Sequence, residues 1–215
     1  MKADLNSLYN ENGFVVLSSA ASEVNVESLM EEILNSHQSG RIETWSNKLR
    51  VQTKLLDVNI AKNLLLLMKR IISPILGDEY RTEQTKWIQE FASLTSYPGC
   101  ESQRWHRDST QSEAILVTCF FNLYPTSFSN GALQVIPKSH RNINWLERIN
   151  QDSMLTLEVP CKSLILMDSR LIHRGGANTS LNEIRPVVYS SWGHSHLSEP
   201  SYILDESLHH KYFME

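Results

Sequence analysis

From Thr82 to Trp192 the chain is cut into short apolar stretches, each stopped by a turn signal, and this texture most narrows what it can fold into. Thr85–Ser96 stops at Tyr97-Pro98-Gly99, and the apolar run Ala114–Leu123 leads to the turn Ser129-Asn130-Gly131. Ala132–Ile136, Leu155–Val159, Ser163–Met167 and Arg185–Trp192 continue the series. Stretches of this length suit strands better than helices. Gly and Asn tolerate left-handed backbone, and Pro fixes φ, so these dipeptides mark turns. Several strands at such close spacing predict an all-β sandwich or barrel.

The first third reads differently. Asp4–Asn10 predicts a short helix and Gly13–Leu17 a strand. Val26, Leu29, Met30, Ile33 and Leu34 recur at helical spacing, with Ser22 or Asn25 as the N-cap. Asn59–Leu76 predicts a second helix, its Leu64–Leu67 run packed under a sheet. Asn144–Ile149 predicts a helical turn or two between strands. With no repeat or low-complexity linker, the 215 residues form one domain in this reading. Its helix-rich part covers about 1–80, the strand-rich core about 81–195 and a tail about 196–215.

Bulk chemistry excludes several classes. The net charge of -4 shows no excess of Lys and Arg, which argues against nucleic acid as a partner and against an anionic membrane. The longest apolar stretch, Asn63–Leu76, is broken by Lys69, Arg70 and Pro74 and is too short to span a bilayer. The N-terminus carries no apolar core of a secretory signal. Cys100, Cys119 and Cys161 are odd in number, widely spaced and without a zinc or redox motif, which predicts reduced thiols. The expectation is a soluble, cytoplasmic protein whose oligomeric state the sequence leaves open.

The chemistry centres on Trp105-His106-Arg107-Asp108. Residues two apart in an extended segment point to the same face, so His106 and Asp108 can offer an imidazole nitrogen and a carboxylate oxygen to one ion. His173, after the Asp168-Ser169-Arg170 turn and just before Gly175-Gly176, can complete a facial set of two histidines and one carboxylate. Such a set leaves coordination positions open and suits Fe(II) oxygen chemistry. Arg185 opens the next strand and offers a planar fork suited to a dicarboxylate.

Three segments together resemble the phytanoyl-CoA dioxygenase family of Fe(II)/2-oxoglutarate oxygenases. They are the WHRD pair, the run Asn130-Gly131-Ala132-Leu133-Gln134-Val135-Ile136-Pro137-Lys138-Ser139-His140-Arg141, and Asp168–Ser180 ending in Arg185-Pro186. Order and rough spacing match from about Gln84 to Trp192, and only loosely before that. The resemblance implies a mainly β fold with flanking helices around a double-stranded β-helix, the jelly-roll or cupin-like core. It implies His106, Asp108 and His173 as iron ligands and Arg185 as partner of the distal carboxylate of 2-oxoglutarate. Polar side chains at Gln89 and Thr95, on the strand before the Pro-Gly turn, are further co-substrate candidates by likeness to ectoine-hydroxylase-like members. Fe(II), 2-oxoglutarate and O2 are the implied cofactors, and a small molecule the implied substrate, oxidised with release of succinate and CO2.

The chain departs from the family pattern at Lys138, where the family has glycine, and at Gly175, where some members have serine. Its loops look short for a long acyl-CoA substrate. Related halogenases replace the aspartate with a small residue, so Asp108 predicts hydroxylation or another oxidation. The remaining candidates read as structural. His140 holds a turn rather than a metal. His194 and His196 lack a partner carboxylate pattern, and His209-His210 lie in the tail. Trp105 and Phe120 are core or pocket wall, and Cys119 has no flanking base to make it a nucleophile. Two other functions fit the same residues: a cupin-like metal enzyme that does not use 2-oxoglutarate, and a non-catalytic metal-binding module. The effect of Arg185→Ala separates the first of these from the oxygenase, because only a diacid co-substrate needs that fork.

Overall fold

The computed structural model describes residues 4–36, 42–43, 49–55, 59–76, 87–109, 117–141, 153–193 and 202–203. In chain order the elements begin α1 (Leu5–Asn12), β1 (Phe14–Leu17), α2 (Val26–Ser36), β2 (Ile42–Glu43), β3 (Arg50–Lys54), α3 (Asn59–Leu76), β4 (Trp87–Ser96) and β5 (His106–Arg107). They continue with β6 (Val117–Asn122), β7 (Leu133–Ile136), β8 (Leu155–Thr156), β9 (Leu164–Asp168), β10 (Ile172–Gly175), β11 (Arg185–Gly193) and β12 (Tyr202–Ile203). Every strand pairing is antiparallel. A seven-stranded sheet runs β1-β9-β6-β11-β4-β3-β2, and a five-stranded sheet runs β12-β5-β10-β7-β8.

Local chemistry sets the ends of the N-terminal elements. The Asp4 carboxylate accepts the Asn6 amide and caps α1, which stops at Gly13 in left-handed backbone (φ 82°) with its N–H donated to Tyr9. For α2 the cap is Asn25, whose side-chain oxygen accepts the Ser28 amide at 3.1 Å. Along α3, Leu64, Met68, Ile72 and Ile75 fall on one face and are buried, while Leu66 is 66% exposed. That buried face joins Leu29 and Ile33 of α2, and Phe91 and Phe121 of the large sheet, in one apolar cluster. Among the described residues no helix is long and apolar enough to cross a membrane.

The large sheet is covered on both faces, which explains why its central strands are apolar throughout. On β9, Leu164 and Leu166 face the helices, while Ile165 and Met167 join Val135 and Leu157 on the other side. On β6, Val117, Cys119 and Phe121 face the helices, leaving Thr118, Phe120 and Asn122 to line a cavity on the opposite face.

Three expectations shift. Leu155–Val159 pairs only over Leu155–Thr156, because Leu157 and Val159 turn into the core beside β9. Strand β3 was not foreseen; its Arg50 and Gln52 look like surface residues, yet Arg50 is 2% exposed. Strand β10, which carries His173, was not assigned as an element by the sequence, which marked only the turn before it. Asn144–Ile149, His194, His196, His209 and His210 lie outside the described residues.

Candidate metal centre

β5 and β10 pair so that His106 and His173 stand opposite each other, their rings 4.3 Å apart between centroids. Asp108 follows immediately, and its amide and that of Ser109 donate to the Ser169 carbonyl at 2.8 and 3.0 Å. That bond hangs the carboxylate beside both rings. One Asp108 oxygen stands 3.6 Å from Nε2 of His106 and 3.6 Å from Nε2 of His173. All three prospective ligand atoms lie within 4.8 Å of one another.

The backbone fixes the tautomers. Nδ1 of His106 meets the Arg104 carbonyl at 2.8 Å, and Nδ1 of His173 meets the Leu171 carbonyl at 2.9 Å. A carbonyl only accepts, so each Nδ1 carries the hydrogen and each Nε2 turns a lone pair to the centre. Burial lowers both imidazoles to about 4; for His106 the neighbouring His173 adds to this and Asp108 opposes it. Burial raises the Asp108 carboxyl, with His106 pulling against it. Two neutral imidazoles and an enclosed carboxylate fit a divalent cation of the N/O-ligated kind, and the residues present fit iron.

The three residues line a cavity of 330 Å³. At its far end Arg185 is 4% exposed, and burial, with repulsion from Arg50, lowers its guanidinium to about 9. Its Nη2 donates to the Ser96 hydroxyl at 3.1 Å, and its buried Nε meets no acceptor among the described residues. No carboxylate among the described residues pairs with Arg185, whose buried charge is left uncompensated by them. Arg50, Ser96 and Arg185 stand opposite one another on β3, β4 and β11.

Of the co-substrate candidates, Thr95 is paired with Pro186 and Val51. The pleat turns it to the face opposite Leu94 and Ser96, so the hydroxyl beside Arg185 is that of Ser96. Gln89 lies on β4, and its side chain is outside the described residues. Phe120 lines the cavity; Trp105 is core, with the Arg174 guanidinium 4.7 Å from its ring centroid. Nε2 of His140 meets the Asn10 carbonyl at 3.2 Å and stands apart from the metal group. Lys138, where the family has glycine, stands in left-handed backbone with φ 67°, and its Nζ reaches Glu11 at 2.7 Å. Sequence reading missed Arg50, Gln103 and the Gln52–Tyr189 bond, in which the Gln52 amide donates to the phenol at 2.6 Å. Only the strand register brings Arg50 to the Arg185 end.

Residues 9–187 match the family model described as phytanoyl-CoA dioxygenase (PhyH), a span that reaches further toward the N-terminus than the three segments did. A relative from Aspergillus calidoustus, named as the iron/alpha-ketoglutarate-dependent dioxygenase ausU, is 22% identical over 196 residues, covering 81% of this chain and 65% of that protein. The chain spans less than two thirds of the length of the curated relatives it matches. Among solved structures, the alpha ketoglutarate dependent carbocyclase SnoK from nogalamycin biosynthesis superposes with a TM-score of 0.72 at 17% identity, covering 97% of this chain and 95% of that one. HygX from Streptomyces hygroscopicus, with nickel, 2-oxoglutarate and hygromycin B bound, gives 0.69 at 12% identity, covering 93% and 90%. The two facing antiparallel sheets are the double-stranded β-helix of these oxygenases.

Proposed function

This chain belongs to the phytanoyl-CoA dioxygenase family, and from that premise we propose that it is a non-heme Fe(II)/2-oxoglutarate-dependent oxygenase of a small natural-product-like molecule. One observation carries the reading. The neutral imidazoles of His106 and His173 with the Asp108 carboxylate, and a buried Arg185 with no carboxylate partner among the described residues, share one cavity. A metal-binding module has no use for the arginine, and a cupin-like enzyme without 2-oxoglutarate leaves its charge uncompensated.

His106, Asp108 and His173 would hold Fe(II), which with O2 and 2-oxoglutarate would supply the oxidising power for attack on the substrate, with release of succinate and CO2. The chain's own residues do the rest. Arg185 and Ser96 take the distal carboxylate of the diacid. Leu94, Leu133, Ile165 and Val187 wall the cavity with hydrocarbon, which excludes water from the reacting centre. Asp108 would take the position that a halide would need, so the proposed outcome is hydroxylation or another oxidation rather than halogenation. The small-molecule class rests on the compounds named for SnoK and HygX and on the cavity's modest size. Three free cysteines suit a reducing, cytoplasmic setting.

The test is succinate release from 2-oxoglutarate by Fe(II)-loaded protein, with calorimetric titration of 2-oxoglutarate into the Mn(II)-loaded form. Arg185→Ala is expected to weaken that titration by about 10- to 100-fold, the loss of one charge-assisted contact. Unchanged affinity refutes the proposal.

A further inference from the structure

Resting on the oxygenase reading, we propose that the hydroxyl chain Ser169–Thr118–Ser191 is the substrate-recognition element of the cavity, and that it selects an uncharged molecule through a hydroxyl or carbonyl oxygen. Thr118 and Ser191 stand directly opposite on β6 and β11. Their hydroxyl oxygens are 3.0 Å apart, and Thr118 Oγ1 is also 3.3 Å from Ser169 Oγ. All three residues are buried, yet Thr118 and Ser191 line the cavity.

Three hydroxyls own three hydrogens, and the chain has two internal bonds. Whichever way the bonds run, one hydrogen is left over. Ser169 does not line the cavity, so a ligand can collect that hydrogen only at the cavity end. Ser191 and Thr118 both line the same space. An oxygen that both accepts and donates satisfies the chain best.

That oxygen is not one of the diacid's. Along β11 the lining residues Arg185, Val187, Tyr189 and Ser191 alternate, placing Ser191 about 20 Å of strand beyond Arg185. A five-carbon diacid anchored on Arg185 is far shorter than this. The metal group stands between the two ends. His173 is two residues from Gly175, which abuts Arg50 in the Arg185 row, while Asp108 hangs from the Ser169 carbonyl. The hydroxyl chain therefore borders the metal on the side away from the co-substrate anchor.

Charge sets the class. Of the described lining residues, only the metal group and Arg185 carry or exchange charge near neutrality, and both are committed. A charged substrate entering beside these residues loses its hydration without gaining a counter-ion from them.

The probes are five molecules on one carbon skeleton: tetralin, α-tetralol, α-tetralone, aminotetralin and tetralin carboxylic acid. Each is titrated calorimetrically into protein loaded with Mn(II) and 2-oxoglutarate. The alcohol and ketone are expected to bind at least tenfold tighter than the other three. Thr118→Val keeps the shape and removes the bridging hydroxyl, and Ser191→Ala removes the terminal one. Both variants should erase the tenfold preference while leaving the affinities for tetralin and 2-oxoglutarate within twofold. Preference for a charged probe, preference that survives Thr118→Val, or no binding of any probe overturns the proposal. If 2-oxoglutarate itself fails to bind, the oxygenase reading falls; if it binds and the probes show no preference, only this inference falls.

Discussion

Gly175 leaves no room for a β-carbon. One placed there would come 2.1 Å from Nη1 of Arg50 and 2.8 Å from the Gln103 side-chain oxygen, which already accepts the Gly175 amide. Arg50 cannot simply swing away, because its Nη2 donates to the carbonyls of Glu101 and Gly176, each at 2.9 Å. The position where some family members carry serine is therefore filled here by a guanidinium from another strand. Gly175→Ser should cost about 2–3 kcal/mol of stability, from overpacking and stranded carbonyls, in urea unfolding. Gly175→Ser with Arg50→Ala should unfold at higher urea than Gly175→Ser alone; additive losses would show that the two residues do not share the space.

The two histidines proposed as ligands carry a second residue-scale expectation. Their folded values near 4 lie below the ordinary 6.5, so both are neutral at pH 7 and meet a metal without first losing a proton. The sign follows from proton counting. As pH falls from 6.5 toward 4, the unfolded chain takes up protons that the folded one refuses, so metal-free stability from these groups drops across that window and is flat above it. Asp108 works oppositely, because burying its charge costs stability at neutral pH and protonation relieves that cost. Mn(II) affinity should accordingly stay level between pH 8 and 6, where ordinary histidines already compete with protons. A tenfold fall across that range would mean that the imidazoles titrate normally.

At the scale of elements, Gly13 ties four pieces together. It ends α1 at φ 82°, starts β1, and accepts the Asp168 amide of β9 at 2.8 Å. A β-carbon there would meet Nδ1 of His140 at 2.5 Å and Cδ1 of Leu171 at 2.7 Å. Gly13→Ala combines a left-handed alanine with a clash against buried groups, and should lower the unfolding free energy by about 2–4 kcal/mol. A change under 1 kcal/mol in urea would show that the turn relaxes freely. The motif around Gly13 was only half legible in the sequence: a short helix, then a strand, with His140 placed as a turn-holder but with no sign of what it held.

The same limit explains what else was legible. Strong apolar runs such as Val117–Asn122 and Leu164–Asp168 announced themselves, because both faces of their sheet are covered. β3 did not, because burial of Arg50 depends on loops after β4 and β10, which no local pattern encodes. His106, Asp108, His173 and Arg185 were legible because their chemistry is rare and their order distinctive. Thr95 was named by likeness to related members; that Ser96, and not Thr95, faces Arg185 could not be read without a register, because one residue reverses a strand's facing.

Across the whole molecule, the two sheets hold different halves of the proposed chemistry. His106 and His173 belong to the five-stranded sheet, whereas Ser96 and Arg185 belong to the seven-stranded one. A metal alone ties together β5, β10 and the Asp108 turn. A diacid that reaches from that metal to Arg185 also links one sheet to the other, and it neutralises a cation whose burial otherwise costs stability. The two ligands should therefore stabilise in order. A ligand held at about 100 times its dissociation constant contributes about 2.7 kcal/mol, which for a chain of this size raises the melting temperature by about 5–10 °C. Mn(II) alone should give one such step, and 2-oxoglutarate added to it a second. 2-Oxoglutarate without metal should give little, because Arg185 and Ser96 hold only one end of it. In Arg185→Ala, at the same 2-oxoglutarate concentration, the metal step should remain and the second step should shrink to about half or less, as read by differential scanning calorimetry. A full second step in that variant would place the diacid elsewhere, and an equal step from 2-oxoglutarate without metal would mean that the two sheets are not joined through the metal.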